Sequence, residues 1–218
     1  MITEDQPAVV ALLESPSTHG GAPVERIDTH TAVVFLAGSR AYKLKRAVRF
    51  DYLDFSTAAR RRVMCDAEVR LNRRTAPGLY RGVVAITRDA NRRLALGGGG
   101  TPVEWVVEML RFPQEVLFDR LAGAGRLDLD LMAPLADAIA AFHASAERRT
   151  DHGGRAGMRW VVDGNAADFA EFGAAFLDVA ACARVTADAR AAIDVHGARL
   201  DDRRDGGFVR HCHGDLHL

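Results

Sequence analysis

Val34-Phe35-Leu36-Ala37-Gly38-Ser39-Arg40-Ala41-Tyr42-Lys43-Leu44-Lys45 reads as strand, turn, strand. Apolar and β-branched residues run up to Leu36, Ala37 to Arg40 supplies turn chemistry, and Ala41 to Lys45 resumes an extended pattern. Side chains alternate along a strand, so Ala41, Lys43 and Lys45 share one face. The chain's 29 basic residues include only two lysines, and both lie here. Coding bias towards arginine is one account. The other is chemical: lysine offers a compact point charge that suits a phosphate.

Working outward, Val24 to Thr29 and Thr31 to Leu36 are expected to pair with Ala41 to Lys45 as three antiparallel strands. Upstream, Thr3-Glu4-Asp5-Gln6 has the form of a capping box, and Val9, Val10, Leu12 and Leu13 predict a helix to about Glu14. Downstream, Ser56 is expected to cap a helix running to about Thr75, where Ala76-Pro77-Gly78 stops it. Tyr80 to Thr87 and Val103 to Leu110 complete five strands, the last with Val103, Trp105, Val107 and Met109 on one face. After Pro113 the hydrophobic period changes from two to 3.6. Helices are expected over Glu115 to Leu121, from about Asp130 to Ala146, after Asn165, and from Thr186 towards Arg204. A polar, Gly-rich loop is expected from His152 to Gly164. Phe208-Val209-Arg210 reads as a short strand. The prediction is therefore α+β, with a sheet-rich part over 1–112 and a helical part over 113–218.

Equal numbers of acidic and basic residues, 29 each, argue against a general nucleic-acid binder. Cys65, Cys182 and Cys212 are odd in number and widely spaced, so they give neither a disulfide framework nor a zinc motif. No apolar run reaches the length of a membrane helix, and Met1 to Gln6 does not open a signal peptide. A reducing cytoplasm is the expected setting.

Glu68 gives Lys43 its meaning. On the helix after Ser56, Met64, Ala67, Glu68 and Leu71 form one stripe. A carboxylate in an apolar stripe is costly to bury without a partner, and Lys43 on the neighbouring strand is the expected one. Arg60, Arg61 and Arg62 are expected to form a solvated face, and His143 to pack. The end of the chain, His211-Cys212-His213-Gly214-Asp215-Leu216-His217-Leu218, is rich in titratable groups. Asp215 is a candidate base for a substrate hydroxyl, with His213 and His217 orienting its loop. The alternation of His211, His213, Asp215 and His217 also leaves open a zinc site and a metallohydrolase.

Lys43, Glu68, the Met109-Leu110-Arg111-Phe112 segment and His213-Gly214-Asp215-Leu216-His217, in that order, resemble the aminoglycoside phosphotransferase family. The stretches 34–45, 50–55 and 71–74 resemble most the N-terminal part of bacterial bifunctional aminoglycoside phosphotransferase/ATP-binding proteins. The resemblance implies a protein-kinase-like two-lobe fold, with a five-stranded antiparallel N-lobe and an incomplete helical C-lobe. It implies an ATP- and magnesium-dependent kinase of a small-molecule hydroxyl, without nucleic-acid or membrane partners. Lys43 would contact the α/β-phosphates and Glu68 would hold it. Ala41 would leave room for adenine, and the backbone from Glu108 through Met109 to Arg111 would form the adenine-binding hinge. Asp215 would be the base. The family's His-Gly-Asp-x-His-x-x-Asn pattern places its Asn beyond Leu218, so the metal ligands are expected outside this chain and the fragment itself is expected to be inactive. A P-loop ATPase domain is expected in the parent. Departures are the absence of a Gly-rich phosphate loop, since the first β-turn is Thr29-His30-Thr31, and of a P-loop motif. A nucleotide-binding or regulatory module without turnover remains the alternative.

Overall fold

The structure, a computed structural model, describes residues 4–50, 52–214 and 216. Its first unit extends to Leu127 and its second begins at Asp128. The division falls later than the expected one at Phe112 and Pro113, because the short helical turns that follow the sheet stay with it. No helix among the described residues is long and apolar enough to cross a membrane.

The first unit opens with α1 (Pro7–Glu14) and continues through β1 (Val24–Asp28), β2 (Ala32–Ala37), β3 (Arg40–Lys45), β4 (Arg49–Phe50) and β5 (Leu53–Asp54). There follow α2 (Ala58–Asn72), β6 (Tyr80–Arg88), β7 (Leu94–Leu96), β8 (Thr101–Leu110) and α3 (Phe118–Gly123). Six strands form one sheet in the order β1-β2-β3-β8-β6-β7, and β4 and β5 pair separately. All these pairings are antiparallel. The five long strands lie where the sequence puts them. The sheet nevertheless has six, because β7 folds back on β6 after the Asp89–Arg93 turn and is too short for a periodic signal. Between β2 and β3 the two-residue loop places its positive φ, 55°, on Gly38, which matches the twist of a tight hairpin.

Each face of the sheet has its own helix. Val9 and Leu13 of α1 pack with Val33, Phe35, Leu44, Ile86 and Val106. On the opposite face Cys65 and Val69 of α2 pack with Val107, flanked by Tyr80, Val83, Trp105 and Met109. The odd-numbered residues of β3 therefore face α2 and the even-numbered ones face α1. Both helices begin one residue or more from the expected cap. Gln6, not Thr3, is the residue before α1, and its side chain makes no cap bond. Thr57, not Ser56, caps α2 by accepting from the Arg60 amide.

The second unit holds α4 (Met132–Ser145), α5 (Gly154–Glu171) and α6 (Val179–Asp205). Ion pairs Arg155–Asp201, Arg159–Asp194 and Arg190–Asp163 run in opposite senses along α5 and α6, so the two form an antiparallel hairpin. They also explain two differences from the sequence. The expected loop from His152 to Gly164 is helical from Gly154, since contact with α6 offsets the low helix propensity of its glycines. Thr186 lies inside α6, bonding back to the Cys182 carbonyl, and Asp178 is the cap, accepting from the amides of Ala180 and Ala181. The expected strand at Phe208 to Arg210 is reduced to a single antiparallel bridge between Arg148 and Arg210. Of this unit's described apolar side chains, Ala146 and Ile193 are buried, whereas Trp160, Phe176 and Phe208 stand well exposed.

Candidate functional site: a carboxylate between two lysines

Lys43 lies in the middle of the sheet, paired with Val34 on one side and Val107 on the other. Ala41, two residues earlier on the same face, is buried opposite Met109. Glu68 reaches from α2 to this face. Its Oε1 accepts from Lys43 Nζ at 2.9 Å and its Oε2 from Lys45 Nζ at 2.5 Å. The side chain of Glu68 is 12% exposed, that of Lys45 8% and that of Lys43 34%. Burial alone would push the Glu68 carboxyl up, but the two ammonium groups outweigh it and hold it below the ordinary glutamate range. Lys45 has a second support in the Phe55 ring, whose centroid is 5.0 Å from its Nζ. The trio carries one net positive charge, and Lys43 is its accessible end.

The Lys43–Glu68 pair meets the sequence expectation; the share taken by Lys45 was missed. The signal was present, since Lys45 follows Lys43 on the same face. The stripe on α2 is also turned from its expected position. Arg61, Cys65 and Val69 are its buried residues, and Met64 is 41% exposed. Met64 and Val63 instead line an apolar hollow of about 530 Å³ with Tyr52, Leu53 and Phe55.

Arg61 corrects the expectation of a solvated arginine face: it is 1% exposed. Its Nε donates to both oxygens of Glu104 at 3.0 Å, its Nη2 to Glu104 and Glu4 at 2.7 Å, and its Nη1 to the Phe55 carbonyl at 2.7 Å. Gln6 donates to Glu104 at 2.8 Å and to the Lys45 carbonyl at 3.1 Å, and accepts from the Ala47 amide at 2.9 Å. This network fixes the end of β3 that carries Lys45. Its sequence signal was Glu104, set between the apolar residues Val103 and Trp105 of β8. Cys65, on the buried face of the same helix, has its thiol pushed up to about 12 by burial, which disfavours the thiolate.

Met109 lies between Ala41 of β3 and Tyr80 of β6. The proposed hinge is partly committed to the fold. The Leu110 amide donates to the Leu79 carbonyl and the Arg111 amide to the Ser39 carbonyl, each at 2.9 Å. The Arg111 side chain pairs with Glu25 at 3.0 Å, and Glu108 with Arg40 at 3.3 Å. The first β-turn is equally tied. Thr29 Oγ1 accepts from the Ala32 amide at 3.0 Å, and Arg46 donates to the Thr29 carbonyl at 2.8 Å.

In the second unit His213 is exposed, and Gly214 has a φ of 83°. That left-handed backbone is what glycine permits in a tight loop. Asp215 and His217, the other catalytic candidates, lie outside the described residues. The zinc alternative assumed a straight strand through 211–217. Over the described residues 211–214 the Cys212 amide turns back to the Arg210 carbonyl at 2.9 Å and Gly214 has a positive φ, so this part is not a straight strand. His211 faces Glu147 at 3.7 Å. Among the described residues no group of three or more His, Cys, Asp or Glu converges as a metal site.

The chain is 36% identical over 121 residues to uncharacterised proteins of Mycobacterium bovis and of Mycobacterium tuberculosis strains CDC 1551 and H37Rv. The match covers 56% of this chain and 22% of those relatives, so it spans about a fifth of their length. No family model matches the sequence. No solved structure matches it significantly.

Proposed function

We propose that this chain is the nucleotide-binding part of an ATP-dependent phosphotransferase, with a protein-kinase-like two-lobe fold, acting on a small-molecule hydroxyl. The observation that carries this reading is the bond from Lys43 on the central strand to Glu68 on the packed helix, 2.9 Å long. A carboxylate that holds a half-exposed ammonium in one place presents it to a phosphate without the entropy cost of a free lysine. Buried Ala41 on the same face leaves space where a larger residue would stand.

ATP fits this chain through its phosphates, because the trio's single surplus positive charge is accessible at Lys43. Adenine recognition through the amides of Leu110 and Arg111 does not fit, as both are engaged by carbonyls of the fold. Magnesium, when bound, supplies charge to the transferring phosphoryl group. No converging carboxylate cluster among the described residues is available to hold it, so no residue is assigned to it. The resemblance assigns the base to Asp215.

Calorimetric titration with ATP, together with an assay for ADP formation over a panel of hydroxyl acceptors, tests the reading. The chain is expected to bind ATP, and Lys43→Met to bind it at least about tenfold more weakly, the cost of one charge-assisted phosphate contact. Wild-type protein that binds no ATP, or a Lys43→Met variant that binds it unchanged, would overturn it. The tied-down first β-turn favours the second reading, a nucleotide-binding module. ATP binding without ADP formation from any polypeptide carrying this chain would select that reading.

A further inference from the structure

We propose that Lys45 is a positioning residue for phosphate binding: it keeps Glu68 neutralised so that the charge of Lys43 is free to meet an anion. The inference rests on the nucleotide-binding reading and assigns to Lys45 the source of the surplus charge that reading places at Lys43.

The geometry divides the work between the two lysines. Glu68 places one oxygen on each, Oε1 on Lys43 and Oε2 on Lys45. Lys45 is the enclosed one, 8% exposed, with its Nζ over the Phe55 ring and its carbonyl held by Gln6. It has no path towards an external ligand without leaving these partners. Lys43 is 34% exposed and is the one able to contact a phosphate. A single lysine paired with a single glutamate forms a neutral unit. Drawing that lysine towards a phosphate strips the carboxylate of its partner, and a carboxylate only 12% exposed bears such a loss badly. With Lys45 bonded to its Oε2 at 2.5 Å, Glu68 has a second ammonium partner when Lys43 turns to an anion. The trio then has a net charge of plus one, where the pair alone has none.

The charge count makes the test specific. ATP, inorganic pyrophosphate and adenosine are titrated separately into the full chain and its variants. Lys45→Met is expected to weaken ATP and pyrophosphate about tenfold, the scale of one unit charge at a partly buried site. Adenosine, which has no phosphate, should bind as before. Lys45→Met combined with Glu68→Gln restores the net charge and should bring both anions back to within about threefold of wild type. Lys45→Arg keeps the charge and should also stay within about threefold.

A merely structural Lys45 would behave differently. Its loss would weaken adenosine along with ATP, and adding Glu68→Gln would not restore anion binding. Either result overturns the proposal. If Lys45→Met does not fold, the double variant is compared with Glu68→Gln alone. With Glu68 replaced, Lys45 has no carboxylate left to neutralise, so the two variants should bind pyrophosphate within about threefold of each other, and a double variant about tenfold weaker than Glu68→Gln overturns the proposal. The parent reading fails separately, when wild type does not bind ATP or Lys43→Met binds it unchanged. The Lys45 role alone fails when Lys43→Met loses ATP and Lys45→Met keeps it.

Discussion

At the scale of single residues, Glu68 decides how the first unit responds to acid. Burial raises its carboxyl, and Lys43 and Lys45 lower it by more, so the folded-state value lies below the ordinary one. A depressed carboxylate contributes stability that is complete above the unfolded value, about 4.3, and fades as pH falls through the folded value. Glu68→Gln mimics the protonated state. Urea denaturation of both proteins should therefore show the largest stability difference near neutral pH, and a shrinking difference below about pH 4. A gap that does not change between pH 7 and pH 3 would show that the two ammonium groups do not favour the ionised form. Lys43 and Glu68 could be read from the sequence because strand alternation and an isolated carboxylate both pointed to them. Alternation put Lys45 on the same face but could not say which lysine is enclosed, since that depends on where the Phe55 ring packs.

At the scale of elements, Arg61 and Glu104 join α2 to β8. Both are almost wholly buried, and Glu104 also accepts from Gln6 beside α1. Removing the arginine leaves a buried carboxylate without its main partner. Arg61→Met is expected to cost about 3–5 kcal/mol in chemical denaturation, the usual penalty for breaking a buried pair. Arg61→Met with Glu104→Met removes both charges and should recover most of that loss. If the double variant is no more stable than the single one, the cost lies in packing and not in the stranded charge. This pair also turned α2 from its expected orientation. The hydrophobic stripe ranked Arg61 as solvated, but a carboxylate waiting on β8 made its burial favourable and brought Cys65 and Val69 inward with it.

At the scale of the whole molecule, the two units differ in how much apolar surface they enclose. The first has a core on each face of its sheet. In the second, α4 has no buried residue, and α5 and α6 rely on ion pairs along their shared length. Trp160 is 78% exposed and Phe176 88%. A buried Leu or Phe contributes roughly 1.5–3 kcal/mol, so the second unit gains little from these two residues. Amide hydrogen exchange should therefore show strong protection in β2, β3 and β8 and much weaker protection in α4 and α5. Equal, strong protection of both units in a monomer would refute this contrast.

The sequence by itself determined the α+β class, the five long strands, the change to helices after Pro113, and the meeting of Lys43 with Glu68. These rest on local rules: alternation along a strand, turn chemistry at Gly38, and the cost of a lone carboxylate on a helix. Tertiary structure alone decided the rest. It added β7, whose three residues are ordered by pairing with β6 and not by any pattern of their own. It moved the caps to Thr57 and Asp178, because a cap is fixed by where the helix begins to pack. It made α5 a helix from Gly154 through contacts with α6. It buried Arg61 and enclosed Lys45, because a charged side chain enters an interior only when its partners, remote in sequence, are already there to receive it.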